Sequence, residues 1–247
     1  MEPKCNYCDF FGEKYHCNNC KIFNGARNRT PQEITCSLTE FVEYIEKTNN
    51  IEDIEEKFGI GDYIYIEAYT GEKFKVIILD YGKDRIAGAN GITAKVTLGI
   101  MDVDGYFQMN LENTNAGGYE ASLGRARMDR FYRILPKELR EHIQTVEKKS
   151  SAGSRSTEIL STEDKVWMFS EIEILGTNSY SVRGEGEQYE YFKKQENRYF
   201  NKYIWLRSPD CYDDNFFIIV DSNGDWDYNS AGNSFGVAFG FCLGSII

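Results

Sequence analysis

The spacing of apolar positions changes several times along the chain, and each change predicts an element. Ser37-Leu38-Thr39-Glu40 has the form of a capping box and leads into Phe41, Tyr44 and Ile45 at helical spacing. A second short helix through Ile51, Ile54 and Phe58 ends at Gly59, and the many Glu of both segments read as a solvated face. After Gly61-Asp62, residues 63–68 and 73–80 are rich in Tyr, Ile and Val, which predicts a hairpin turning at Thr70-Gly71. A third strand is expected at 94–101. Helical spacing returns over 119–135, where Leu123, Met128, Phe131 and Ile134 can share a face, and Pro136 opens a short helix over 137–143. The basic, Ser- and Gly-rich stretch 148–156 reads as a mobile loop, 166–169 as a short strand, and the polar, Tyr-rich 184–200 as partly helical.

Four further runs close the chain at 203–206, 215–220, 225–228 and 235–243, with Asn223-Gly224 as a strong hairpin signal between the middle two. Mixed strands and two modest helices predict an α+β fold. Composition also changes here. The first 207 residues hold all 16 Lys and all 24 Glu, whereas the last 40 hold neither, nor any Gln or Arg. Of the 25 residues in 210–234, 15 are Asn, Asp, Ser or Tyr. Turn formation accounts for Ser222-Asn223-Gly224 but not for the loss of Lys and Glu, the usual surface residues. Short polar and aromatic side chains on loops held by buried strands are the makings of an adaptable binding surface. The candidate ligand-binding residues are Tyr212, Asp213, Asp214, Asn215, Asp225, Trp226, Asp227, Tyr228, Asn229, Ser230, Asn233 and Ser234. Asp221-x-Asn223-x-Asp225-x-Asp227 also resembles a calcium loop, but Trp226 stands where Gly must turn the chain and no Glu follows.

The chemistry elsewhere narrows the choice. Cys5-x2-Cys8 and Cys17-x2-Cys20 are two thiolate pairs at zinc-ligand spacing, in a polar segment with no core of its own. A closed zinc site of four cysteines is structural, or a docking module, and His16 is the only other ligand type beside it. The net charge of −11 disfavours a nucleic-acid partner and anionic membranes. No stretch is long and apolar enough for membrane insertion and the start carries no signal peptide, so the chain is expected to fold in a cytoplasm. Catalysis is not expected. His142 follows a helical Arg-Glu pair, Cys211 and Cys242 lack partners in sequence, and no phosphate loop or dinucleotide fingerprint occurs.

Several ordered motifs carry a resemblance. They are Trp205-Leu206-Arg207-Ser208-Pro209, the Asx-rich hairpin after it, and Gly236-Val237-Ala238-Phe239-Gly240-Phe241-Cys242. Upstream stand Asn115-Ala116-Gly117-Gly118-Tyr119-Glu120, Leu135-Pro136, Thr162-Glu163-Asp164-Lys165-Val166-Trp167, Ser170-Glu171-Ile172-Glu173 and Gly184-Glu185-Gly186-Glu187-Gln188-Tyr189-Glu190-Tyr191. Over residues 58–245 the chain resembles a domain family of unknown function common in phage and gut-bacterial proteins. Ile204 departs from the two aromatics that usually precede Leu-Arg-Ser-Pro. The resemblance implies a C-type-lectin-like or formylglycine-generating-enzyme-like scaffold, which also serves the variable proteins of diversity-generating retroelements. In those systems adenines near the end of a gene are rewritten. An Asn codon changed at its two adenines yields Tyr, Asp, Ser, His or Gly, but never Lys, Glu, Gln or a stop. Trp226 cannot arise in that way and reads as framework.

The resulting expectation is a four-cysteine zinc module at 1–36, a helical connector at 37–59 and a C-type-lectin-like display domain at 60–247. The expected function is non-enzymatic binding of a protein or surface receptor. The alternative is an adaptor in a phage particle, attached through the zinc module and therefore virion-associated. Metal analysis of protein made in zinc-replete medium is expected to find one zinc per chain, lost on Cys5→Ser; zinc-free protein would remove the N-terminal assignment.

Overall fold

A computed structural model describes residues 30–103 and 105–246. The Cys5, Cys8, Cys17 and Cys20 zinc assignment, and His16, lie outside the described residues. Among the described residues the fold is a mixed α+β arrangement of short helices and three sheets. No described helix is long and apolar enough to cross a membrane.

Helix α1 (Leu38–Lys47) starts where the capping box predicts: the Ser37 hydroxyl accepts the Glu40 amide at 3.2 Å, and the Glu40 carboxylate accepts the Ser37 amide at 2.9 Å. It turns into α2 (Ile51–Lys57), and the two bury Phe41, Val42, Ile45, Ile54 and Phe58 in the main core. The first sheet runs in the order β1 (Tyr63–Glu67), β2 (Lys73–Tyr81), β3 (Ala94–Ile100), β12 (Phe239–Ser245) and β4 (Ile143–Gln144), with β7 (Trp167–Met168) also on β12. All of its pairings are antiparallel. Every residue of β3 is buried, so it reads as a continuous run rather than an alternation. From β3, Lys95 reaches the unpaired carbonyls at the end of α1, donating to Ile45 at 3.0 Å and Glu46 at 2.9 Å.

The second sheet runs β10 (Trp226–Ser230), β9 (Phe216–Val220), β8 (Ile204–Pro209), β11 (Gly236–Val237). Its β11–β8 pairing is parallel and the others antiparallel. The Asn223-Gly224 hairpin forms as expected, with Gly224 at φ +80°. The expected single strand at 235–243 is instead two, because the chain leaves the second sheet after Val237 and enters the first at Phe239. Ala238 at the crossing is fully buried.

Three other expectations change. Helix α3 (Leu123–Ile134) begins later than 119 because the Ser122 hydroxyl accepts the Arg125 amide at 3.0 Å, and Tyr119 is buried ahead of it. The short helix α4 (Lys137–Arg140) after Pro136 is about one turn long. Residues 148–151 of the expected mobile loop at 148–156 belong to β5 (Val146–Ser151), which pairs with β6 (Ile159–Asp164), while 152–156 lie in the loop that joins the two. Lys148, Ser150 and Ser151 in β5 are buried. No apolar alternation marks Val146-Glu147-Lys148-Lys149-Ser150-Ser151, because its inward side chains meet a polar interior.

That interior is a buried charge network joining segments far apart in sequence. The Arg207 guanidinium on β8 has no exposed surface, and all of its N–H groups are used. Nε donates to the Lys149 carbonyl at 3.0 Å, Nη1 to the Met168 carbonyl at 2.8 Å and to Glu173 at 2.5 Å. Nη2 donates to Glu173 at 2.8 Å and to the Glu185 carbonyl at 2.6 Å. Glu173 lies on α5 (Glu171–Leu175), whose Ser170 capping box matches that of α1. Lys148 lies 2.5 Å from Glu173 and 2.7 Å from Asp84, and donates to the Tyr189 hydroxyl at 3.0 Å. Tyr189 also bonds Asp84, which accepts from Thr97 at 2.6 Å. Arg207→Met, which leaves three buried backbone carbonyls without their donor and Glu173 with only part of its partners, is expected to cost about 3–5 kcal/mol of unfolding free energy in urea. A cost within about 0.5 kcal/mol, the range of ordinary surface substitutions, would show the network to be dispensable.

Candidate functional site

Two regions invite a functional reading. The first is a cleft of about 470 Å³ lined by Lys83, Asp84, Lys148, Glu173, Glu185 and Arg207, among others. Two of its carboxyls are strongly perturbed, as at many active sites. Burial opposes ionisation of Glu173, but Arg207 and Lys148 against it outweigh burial and hold its pKa down to about 2. Burial pushes Glu185 up to about 7 against hydrogen bonds from Ser208 and the Ser151 amide. These groups bond one another or the backbone rather than presenting open valences to the cleft. Cys242 is buried near Thr97 and Asp84, and burial followed by the Asp84 charge pushes its thiol well up, away from a reactive thiolate. Cys211 is also raised, chiefly by burial. His142 sits 3.6 Å from Glu46 at the surface. The cleft therefore has the character of a structural junction.

The second region is an exposed cluster of aromatic rings at the β10 edge of the second sheet. In β10, Trp226, Tyr228 and Ser230 point to one face, opposite Val220, Ile218 and Phe216 of β9. Phe216 and Tyr228 stack with centroids 5.2 Å apart and planes 19° apart. Tyr180, from the loop after α5, lies against three rings: Trp226 at 4.1 Å, Tyr228 at 5.7 Å and Tyr212 at 5.9 Å. Trp226 is 39% exposed, Tyr228 40% and Tyr212 68%. Large rings gathered from three segments, yet left this exposed, are unusual for surface that only has to face water.

A dense set of backbone contacts holds the rings. The Asn115 side-chain amide lies 2.8 Å from the carbonyls of Asp213 and Phe216 and 3.3 Å from that of Asp210, and its own amide donates to the Asp214 carbonyl. Its side-chain oxygen, Oδ1, accepts the Ser154 amide at 2.7 Å. This packing is close enough to require glycine beside it. A Cβ on Gly153 would lie 1.8 Å from the Asn115 carbonyl oxygen, and one on Gly118 1.9 Å from that of Ser151. Asp210 accepts the Tyr212 amide at 2.7 Å, and the Cys211 amide donates to the Tyr180 carbonyl at 2.8 Å. Along the sheet edge, the amide of Tyr228 donates to its neighbour Asp227 at 2.8 Å and that of Ser230 to Asn229 at 3.0 Å. Those side chains occupy edge donors that could otherwise pair with another strand.

The structure brings Tyr212, Trp226 and Tyr228 together and separates several other candidates. Asp227 and Asn229 point to the opposite face of β10, where Asn233 donates to Asn229 at 2.6 Å. Asp213 accepts the Asn215 amide, Asp214 pairs with Arg155 at 3.8 Å, and Asn215 accepts the Ala231 amide through its carbonyl. Asp225, Ser230 and Ser234 are exposed or half-buried around these groups. Trp226, named both as a ligand-binding candidate and as a framework position, is part of the exposed ring cluster. In the calcium-like stretch, one Asp221 carboxylate oxygen accepts the Asn223 and Asp225 amides at 2.8 and 3.0 Å, as in an ordinary hairpin turn. Among the described residues no His, Cys, Asp and Glu group is arranged to hold a metal ion. Tyr180, Phe216 and Asn115 were not among the candidates. A signal for Tyr180 existed, since Thr177-Asn178-Ser179-Tyr180-Ser181 has the same Asn, Ser and Tyr composition as the chosen segments.

Residues 95–245 match the family described as Domain of unknown function (DUF6273), and the chain belongs to that family. No curated protein and no solved structure matches the chain. The matched region runs from β3 to the end of β12 and contains both the charge network and the ring cluster. Three of the motifs that carried the resemblance meet in the network, supplying Glu173, Glu185, Tyr189, Arg207 and Ser208.

Glu185 supplies a pH test. With its folded pKa raised from 4.5 to about 7, the folded state binds the extra proton between those values, so its contribution is full at low pH and lost as pH rises. Unfolding free energy measured from pH 5 to 8 should decline in the wild type relative to Glu185→Gln by on the order of 2 kcal/mol. Parallel curves for the two proteins would refute the raised pKa.

Proposed function

We propose that this member of the DUF6273 family is a non-enzymatic binding protein that engages a protein or surface-receptor ligand through the Tyr180, Tyr212, Trp226 and Tyr228 cluster and the polar positions around it. The observation that carries this reading is the convergence of those rings, from three segments, on an exposed edge whose neighbouring strands are buried. Aromatic anchors supply contact area at low entropic cost, and Asn, Asp and Ser around them supply adaptable hydrogen bonding. A C-type-lectin-like scaffold displaying a variable surface is the finer form of the proposal. It is supported by burial: positions 212–215, 225–230 and 233–234 are all exposed or half-buried, so exchange among Asn, Asp, Ser and Tyr there leaves the core side chains in place. In this reading the N-terminal cysteines hold a structural zinc and attach the display domain to its carrier, a phage particle being the form the resemblance suggests.

Panning a displayed peptide library on the folded protein is expected to select binders that lose about tenfold or more in affinity on Tyr212→Ala, Trp226→Ala or Tyr228→Ala. The variants should keep the wild-type melting temperature within a few degrees. Selected binders indifferent to all three substitutions would sink the proposal. For diversification, the neighbouring DNA should hold a near-copy of the final coding segment that differs mainly at adenines, beside a reverse transcriptase gene. Without that copy the surface would be an ordinary binding surface.

A further inference from the structure

Glu171 is a fully buried carboxylate at the first position of α5, and none of the ion pairs among the described residues involves it. Its partners are backbone amides of the loop that follows the helix. One oxygen accepts the Ser179 amide at 2.9 Å, the other accepts the Ser181 amide at 2.8 Å, and the Tyr180 amide lies 3.4 and 3.3 Å from the two. Consecutive amides turned toward one carboxylate define a local backbone shape, and a buried carboxylate without them would be costly. The centre of that shape is Tyr180. Its amide faces Glu171, its carbonyl accepts the Cys211 amide, and its ring lies 4.1 Å from Trp226. At its other end Glu171 is tied to the scaffold, because its own amide donates to the Ser208 hydroxyl at 2.9 Å and that hydroxyl bonds Glu185.

We propose that Glu171 is the positioning residue of the ring surface: its carboxylate fixes the 179–181 backbone, which holds the Tyr180 ring against Trp226 and so sets the shape the surface presents. The proposal rests on the binding reading for its functional meaning, but its geometry stands apart from any ligand. Glu171 touches no partner itself. It acts through Tyr180, while the buried network acts through it. Replacing one carboxylate oxygen with an amide NH2, as in Glu171→Gln, sets a donor against backbone donors and releases the loop.

The chain's tryptophans allow a direct readout. Trp167 and Trp205 are fully buried and Trp226 is 39% exposed, so a neutral quencher such as acrylamide reports mainly on Trp226. Glu171→Gln is expected to raise the quenching constant about twofold by opening the loop locally. Tyr180→Ala should do the same, the double variant should add little to Tyr180→Ala, and Trp226→Phe should abolish the effect. Quenching unchanged in a folded Glu171→Gln protein would overturn the proposal. Should that variant not fold, hydrogen exchange on the wild type decides instead. The Ser179, Tyr180 and Ser181 amides should exchange at least about tenfold slower than unprotected amides, and free exchange would overturn the assignment. Selected binders should weaken on Glu171→Gln. If quenching responds as expected but binders ignore the Tyr212, Trp226 and Tyr228 substitutions, the binding reading fails while the positioning role stands.

Discussion

The guanidinium of Arg207 organises this molecule. It is fully buried and has no water to fall back on, so each of its N–H groups must find an acceptor within the protein. Those acceptors come from β5, β7, α5 and the loop around Glu185. Satisfying one side chain therefore ties together four segments that are far apart in sequence. Lys148 extends the constraint to Asp84 and Tyr189, turning a charged stretch of sequence into an interior strand. Such a junction contributes less net stability than its many bonds suggest, because desolvation opposes it. Any alternative packing that separated its members would leave a buried charge without its partner.

Continuity of the backbone supplies a second constraint. The chain passes from β11 in one sheet to β12 in the other within three residues, with Ala238 buried at the crossing. At the start of β12 the fit leaves little room beyond hydrogen. A Cβ on Gly240 would lie about 3 Å from the rings of Phe169 and Trp167. Because β12 is central in its sheet, the second sheet and its β10 edge inherit a fixed position relative to the main core.

Rigid support explains how a surface can carry so many exposed rings and short polar groups. The side chains of 212–215 and 225–230 contribute little to the core, while Asn115 and Asp210 hold the backbone of the 210–216 segment and Glu171 holds that of the adjoining 179–181 loop. Under the proposed binding function, recognition and stability would fall to different residues. The Asx side chains that cap outward amides of β10 leave the rings available while discouraging strand-to-strand association.

Much of the local structure was legible in the chain itself. The capping box at Ser37, the turns at Thr70-Gly71 and Asn223-Gly224, and the strands of the first hairpin depend on neighbours a few residues apart, where spacing carries the information. The composition of the last forty residues likewise marked Tyr212, Trp226 and Tyr228. Long-range electrostatics and alternation across strands were not legible. Lys148 looked like a loop residue because its partners Asp84 and Glu173 are distant in sequence. Asp227 and Tyr228 looked like members of one site although their strand sends them to opposite faces. Tyr180 joins the rings from a loop whose amides turn onto Glu171 and whose carbonyl meets the Cys211 amide. Short-range preferences and composition belong to the sequence, whereas the sharing of buried charges and the facing of side chains exist only once the sheets are assembled.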